Sequence, residues 1–283
     1  MKKIISIPLK VLLLVIVNFI ISAILGVVLP MSYDMVGELS PQEQVTFMPL
    51  YLLNLLINMS VLYVTLECLR YKGWKLVLAV TSLFFGLFTV LNAIELLWYA
   101  EAFPMLTTLD VVKMLITSVL SYGVTALVGT LLVKGFKREE REKDNVFDAG
   151  RFYWKAGLFS VLYSLFYFCC GFITRLFPEA REFYAGWAQT MESIPVLLLF
   201  NVIRGALWLL FSLPVLLGAT TRRQAYWLMP LVLVIGTAAS FLTPTPLIPP
   251  MVRVAHVIEL GFSMTVVGIF MVWLFLKKTD QVG

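Results

Sequence analysis

Charged side chains make up only 14% of the 283 residues, histidine occurs once, and cysteine three times. Each scarcity excludes something. A chain this poor in charge is neither a disordered segment nor a soluble enzyme, since soluble domains carry roughly 25% charged and about 45–50% apolar residues. Cys68, Cys169 and Cys170 lie inside apolar runs with no CxxC spacing. They provide neither a disulfide framework nor a zinc site, and the vicinal pair is read as packing. One histidine leaves a metal centre without ligands: His256-x-x-Glu259 could supply two and Glu95 a third, but no second motif completes a zinc or di-iron set. No metal and no cofactor are expected.

What is present in excess is hydrocarbon. Hydrophobic residues reach 60%, and mean hydropathy is +0.90. Eight runs are long enough to cross a bilayer, at roughly 9–29, 47–69, 74–99, 110–133, 154–177, 194–219, 225–243 and 250–276. The chain is therefore expected to be an all-α integral membrane protein with eight transmembrane helices and the lipid bilayer as its first partner. Net charge is +5, and the basic residues are sorted among the loops. Lys2, Lys3, Lys10, Arg70, Lys72, Lys75, seven residues between Lys134 and Lys155, Arg222, Arg223, Lys277 and Lys278 fall on one side, 17 of the 22 in all. The positive-inside rule makes that side cytoplasmic, with both termini inside. This distribution is a topology signal, and no nucleic-acid partner is expected. A signal peptide at the N-terminus is disfavoured, because the first run is long for one and no A-x-A site follows it. The first helix is expected to be retained.

Helix ends are marked. Ser40-Pro41-Gln42-Glu43 reads as a capping box that starts the second helix above the membrane, and Pro249-Pro250 opens the eighth. Tyr71/Trp74, Tyr153/Trp154, Tyr226/Trp227 and Trp273 form an expected inner aromatic belt, and Trp98/Tyr99 and Tyr184/Trp187 an outer one.

The two halves look alike. Lys10 precedes Gly26 at the distance that separates Lys155 from Gly171, and Pro49 precedes Asn58 as Pro195 precedes Arg204. Trp74 and Trp227 open the third and seventh helices, and Gly129 and Gly268 hold similar places in the fourth and eighth. A tandem 4+4 repeat follows, with 1–133 as the first half, 134–153 as a charged linker and 154–283 as the second half. With four spans each, the repeats are parallel. The mixed-sign linker, KGFKREEREKDNVFDAGR at its centre, reads as a solvated connector.

Polar residues inside the spans carry the functional reading, because an ionisable group at mid-bilayer costs roughly 2.5–3.5 kcal/mol. At ~1.5 Å per residue Arg204 lies about 15 Å, and Glu259 about 13–14 Å, from the outer ends of their helices. Asn58 lies near the midplane, Asn54 and Asn201 further out, and Glu95 at the outer boundary. Glu67 is one turn from the cytoplasmic end, where it can snorkel. Arg253, His256, Glu259 and Ser263 share one face of the last helix, within an arc of about 120°. We expect an outward-facing pocket lined by Arg204, Arg253, His256, Glu259, Ser263, Asn58, Asn201 and Glu95, with Arg204 and Glu259 its deepest charges. Its ligand would be amphipathic or anionic, lipid-like, held by Arg204, while Glu259 and His256 orient it or carry a proton. Three alternatives stand beside transport. One is an intramembrane hydrolase or transferase at the outer leaflet, with Glu259 or His256 as general base. Another is a membrane scaffold or sensor. The last is a structural Arg204–Glu259 ion pair that only fixes packing.

The stretches LFPEAREFYAG, IRGALWLLFSLP and TPTPLIPPMVRVAHVIELGFSMTVVGIFMVWLF together resemble a group of bacterial polytopic inner-membrane proteins of unassigned function. The likeness lies mainly in the C-terminal half. It implies a bacterial inner-membrane setting and draws attention to Arg181, Arg204, Arg253, His256 and Glu259, but it supplies no activity. Cys170-Gly171 and Asn201-x-x-Arg204 do not match the spacing of the exosortase-like peptidases, and no CSG sequence is present. The CAAX-protease-like family needs two histidine motifs, which one histidine cannot make.

Overall fold

The computed structural model describes residues 2–32, 34, 36–187 and 193–278, with side chains from residue 6 to Lys277 except at 102, 186 and 187. Eight helices among them are long and apolar enough to cross a membrane. They are α1 (Lys2–Val28), α2 (Pro41–Cys68), α3 (Gly73–Trp98), α4 (Thr108–Leu132), α5 (Phe152–Thr174), α6 (Ile194–Gly218), α7 (Arg222–Ala238) and α8 (Pro250–Phe275). Helices are the natural answer to such runs, since every backbone polar group must be satisfied within the segment. A short helix, Pro178–Trp187, lies between α5 and α6.

The ends are closed by local chemistry. Ser40 Oγ accepts from the Glu43 backbone N–H with Pro41 at the first helical position, and Pro249 precedes α8, both as read from sequence. A further cap had not been foreseen. Thr107 and Asp110 form a reciprocal capping box at the start of α4, and the wholly buried Asp110 carboxylate also accepts from the Ser32 backbone and hydroxyl. That ties the loop after α1 to α4.

Helix neighbours follow one scheme. Within residues 1–133, α1 packs on α2 and α4, α3 on α4, and α2 on α3 and α4. Within the rest, α5 packs on α6 and α8, α7 on α8, and α6 on α7 and α8. Between the two groups, α2 meets α7 and α3 meets both α6 and α7. The core lies along that seam, with Leu62, Leu66, Phe84, Leu87, Trp208, Val232 and Met271 all essentially inaccessible. Backbones approach closely at small residues, as membrane helices do in the absence of a hydrophobic drive. A Cβ at Gly268 would stand 2.8 Å from the Pro230 backbone, and one at Gly205 would stand 2.9 Å from Ser160 Cα. Helix α3 contains a π turn at Gly86–Val90. The inserted residue rotates the rest of the helix by about 100° and so re-aims Glu95.

Trp74, Tyr153, Trp154, Trp227 and Trp273 are exposed, as a lipid-facing belt requires. On the opposite side Trp98 is exposed too, with one face stacked on Phe200 of α6 at 4.1 Å. Tyr184 instead turns inward to His256, where a hydrogen bond outcompetes an interfacial position. The Trp187 side chain lies outside the described residues.

The linker is not a solvated connector. It crosses the ends of α2, α6 and α8 and satisfies their last carbonyls, which a helix cannot pair internally. Arg138 donates to Leu66 O (3.1 Å), Leu69 O (2.7 Å) and Tyr71 O (2.6 Å), and Arg141 Nη1 donates to Glu67 O at 2.6 Å. Asn145 Nδ2 donates to Ala219 O at 3.1 Å, and the Asp148 backbone N–H to Phe275 O at 3.0 Å. Cations are favoured there by the negative end of each helix dipole. The chain also departs from a purely helical fold at this point. Asn145–Phe147 pairs antiparallel with Leu276–Lys278, Phe147 opposite Leu276, and so continues the backbone bonding where α8 stops. Asp148 bridges Lys155 (2.7 Å) and Lys277 (3.0 Å), whose ammonium groups hold its carboxyl below the usual carboxylate range.

Burial, and to a lesser extent Arg70, push the Lys143 ammonium down from 10.5 to about 8. Between those values the unfolded chain binds more protons than the folded one, so stability rises with pH across that window. Apparent melting temperature measured from pH 7.5 to 10.5 should show this rise in the wild type and lose it in Lys143→Met. An unchanged profile in the variant would refute it.

Candidate functional site

The candidate residues come from both groups of helices. Arg204 projects from α6, ten residues from Ile194, into the seam with α3. Its Nη2 donates to Glu95 Oε2 at 2.8 Å and its Nη1 to Asn201 Oδ1 at 3.1 Å. The guanidinium lies over the rings of Tyr167 (5.2 Å) and Phe200 (5.7 Å). The Arg204 side chain is 6% exposed and that of Glu95 33%. The ion partner of Arg204 is therefore Glu95 and not Glu259, a pairing that depends on the π turn in α3. Arg204 Nε is buried and has no hydrogen-bond partner.

The stripe on α8 faces inward as its spacing implied, with Arg253, Glu259 and Ser263 buried and His256 half-buried. Its members serve different partners. Arg253 Nη2 bonds Glu43 Oε1 of α2 at 2.9 Å, so Glu43, read from sequence only as a cap, is also an ion partner. His256 stacks on Phe241 and bonds the Tyr184 hydroxyl through Nε2. Burial raises the Tyr184 phenol well above its ordinary value, which keeps its proton on oxygen. The other ring nitrogen, Nδ1, lies 3.9 Å from Glu259 Oε2. Among the described residues no hydrogen bond reaches the Glu259 carboxylate. Ser263 Oγ, one turn further, is buried without a partner.

Asn58 belongs elsewhere. Both donors of its amide go to Asn54, at 2.9 Å to the carbonyl and 2.6 Å to Oδ1, and its own Oδ1 is buried and unpaired. It lines a cavity of about 190 Å³ between α1, α2 and α4, and of the eight residues expected in one pocket it alone lines it. A second, apolar cavity of about 380 Å³ runs between α5 and α8, from Cys169 and Tyr163 to Phe159 and Phe270. Tyr163 and Tyr167, four apart on α5, link this groove to Arg204. Their rings are 6.4 Å apart, and Tyr163 also meets Trp208 at 6.4 Å. Neither tyrosine was singled out from sequence, although their spacing on the helix preceding Arg204 was a usable signal. Tyr163 Oη and Trp208 Nε1 are also buried without partners.

Among the described residues no three of His, Cys, Asp and Glu are grouped to hold a metal ion. The arrangement offers a buried cation with a spare donor beside an apolar groove, and a Tyr–His–Glu array. No family model matches the chain, and neither a curated protein nor a solved structure matches it.

Proposed function

We propose that this is a bacterial inner-membrane protein, both termini cytoplasmic, whose two parallel four-helix repeats bind an anionic amphipath and move it between leaflets. The observation that carries the reading is Arg204, a buried cation whose Nε is unpaired, one aromatic step from an apolar groove. A buried donor without an acceptor is costly, and an anionic oxygen is its best partner. The groove lined by Phe159, Phe166, Val267 and Phe270 suits an acyl or prenyl chain.

The repeat is supported by the neighbour scheme. Each of the five packings among α1–α4 has its counterpart among α5–α8, and the α2–α7 contact mirrors α3–α6. The turns after α2 and α6 also agree in backbone angles. Leu69 (−67°, 140°) matches Ala219 (−64°, 133°), and Lys72 (−125°, 160°) matches Thr221 (−125°, 154°). Leu69 and Ala219 pair across the seam. The linker lies at that end, in keeping with its basic residues facing the cytoplasm.

On this reading Glu95–Arg204 and Glu43–Arg253 are bolts between the halves on the outer side. An incoming anion accepts from Arg204 and displaces Glu95, which is the more exposed partner and can be hydrated once released. Loss of the bolt frees α3 from α6, and the halves rock about the Leu69–Ala219 end.

The test is native mass spectrometry with lipid analysis of gently purified wild type and Arg204→Met. We expect an anionic lipid on the wild type and at least tenfold less on the variant, from loss of a charge-assisted bond. A wild type free of any anionic lipid would sink the proposal. The Tyr184–His256–Glu259 array favours a second reading, an outer-leaflet hydrolase or transferase. Under it Glu259→Gln abolishes turnover and spares binding.

A further inference from the structure

We infer that the first half holds a second binding site, for an uncharged polyhydroxylated group, in the cavity between α1, α2 and α4. Asn18, Ser22, Tyr51, Asn58, Thr117 and Tyr122 are among its lining residues, and no charged side chain is. An ionic ligand would lose its hydration there with nothing to replace it. A neutral ligand with several hydroxyls has no such penalty.

The hydrogen-bond inventory points the same way. Asn58 is locked by its two bonds to Asn54, so its buried Oδ1 is presented as a pure acceptor. No hydrogen bond is made by the Tyr51, Tyr122, Thr117 or Ser118 hydroxyls to another described residue, and each of these groups can donate or accept. Asn18 and the Ser22–Ser121 pair are held in place across the α1–α4 contact. A fixed acceptor surrounded by free hydroxyls suits a polyol. Tyr51, stacked on Phe47, adds an aromatic face for its C–H groups. The volume, about 190 Å³, exceeds the roughly 150 Å³ cavity known to admit a benzene-sized ring, enough for a small polyol. Tyr51, Asn58, Thr117 and Ser118 are half-buried, so the cavity can be reached.

The site is independent of Arg204 in composition, yet it holds the related place. With the halves aligned on Lys10/Lys155, Asn58/Arg204 and Gly129/Gly268, Asn18 falls on Tyr163, Ser22 on Tyr167 and Thr117 on His256. The second half carries a charged version of the same position, the first half a neutral one.

Two sources share this chemistry, a free polyol and the sugar head group of a neutral glycolipid. The full chain in phosphatidylcholine nanodiscs would be titrated with radiolabelled myo-inositol in one arm. In the other, nanodiscs doped with monoglucosyl-diacylglycerol would be analysed by native mass spectrometry. We expect saturable one-to-one binding in one arm, at least tenfold weaker in Asn58→Leu and in the shape-preserving Tyr122→Phe/Thr117→Val variant. Arg204→Met should leave it unchanged, which separates this site from the anion site. Binding in neither arm, or binding indifferent to both cavity variants, would refute the site. So would binding that Arg204→Met abolishes.

Discussion

Replacing Glu95 by leucine should destabilise the protein more than replacing Arg204 by methionine, although the two side chains form one ion pair of 2.8 Å. The asymmetry follows from burial. Glu95 is 33% exposed and Arg204 6%. Glu95→Leu strands a guanidinium inside the helix seam with only Asn201 and two aromatic faces for company. Breaking a buried pair from one side costs roughly 3–5 kcal/mol, and an effect of about 3 kcal/mol is expected here. Arg204→Met removes the buried charge itself, retains much of the apolar stem, and leaves a carboxylate that water can reach. That variant should lose about 1 kcal/mol, near the range of an exposed pair. Apparent melting temperatures in one detergent would rank the variants, with the double substitution recovering most of the Glu95→Leu loss. Equal losses in the two single variants would mean that Glu95 is as dry as Arg204. The same pair of variants separates stability from the proposed function: Arg204→Met is the milder change to the fold and the one expected to empty the proposed anion site.

Arg138→Ala should cost about 3 kcal/mol, and Arg138→Lys nearly as much. One guanidinium serves Leu66 O, Leu69 O and Tyr71 O, at distances of 2.6–3.1 Å. Each hydrogen bond to a charged group is worth roughly 1.5–3 kcal/mol, and water at this half-buried site recovers part of the total. The fork is what matters. A lysine ammonium is a single point donor and cannot span three carbonyls in a planar array. The neighbouring Lys137, exposed and outside this network, should change stability by less than about 0.5 kcal/mol when replaced by alanine. Limited trypsinolysis gives a second readout, since release of the strap frees its backbone to enter the protease at the basic residues that remain. Arg138→Lys at wild-type stability would show that charge near the end of α2 suffices and that the fork is incidental.

These two arginines mark how far the sequence was legible. Six of the eight spans could be read to within a few residues, because a run of apolar residues has one way to cross hydrocarbon, whereas α1 and α2 begin seven and six residues before their apolar runs. The start of α2 and the start of α8 were visible in Ser40-Pro41 and Pro249-Pro250, because caps are local chemistry. Inward orientation of Arg253, Glu259 and Ser263 followed from helical periodicity alone. The partners of those residues did not. Glu43, Glu95 and Tyr184 are distant in sequence from Arg253, Arg204 and His256, and nothing local distinguishes a carboxylate that will form an ion pair from one that will face water.

Composition and periodicity thus determined that the chain is a multi-pass helical membrane protein, where its helices lie and which faces carry polar groups. Only the tertiary structure decided what those faces meet. The π turn at Gly86–Val90 re-aims Glu95 toward Arg204, and the packing of α1, α2 and α4 makes a neutral polar cavity around Asn58. The linker becomes a strap because three helix ends with unpaired carbonyls arrive beside it. Pattern along a helix is set by its own 3.6-residue period, whereas pairing between helices depends on crossing geometry, rotation and depth. Those quantities emerge only when all eight helices pack together.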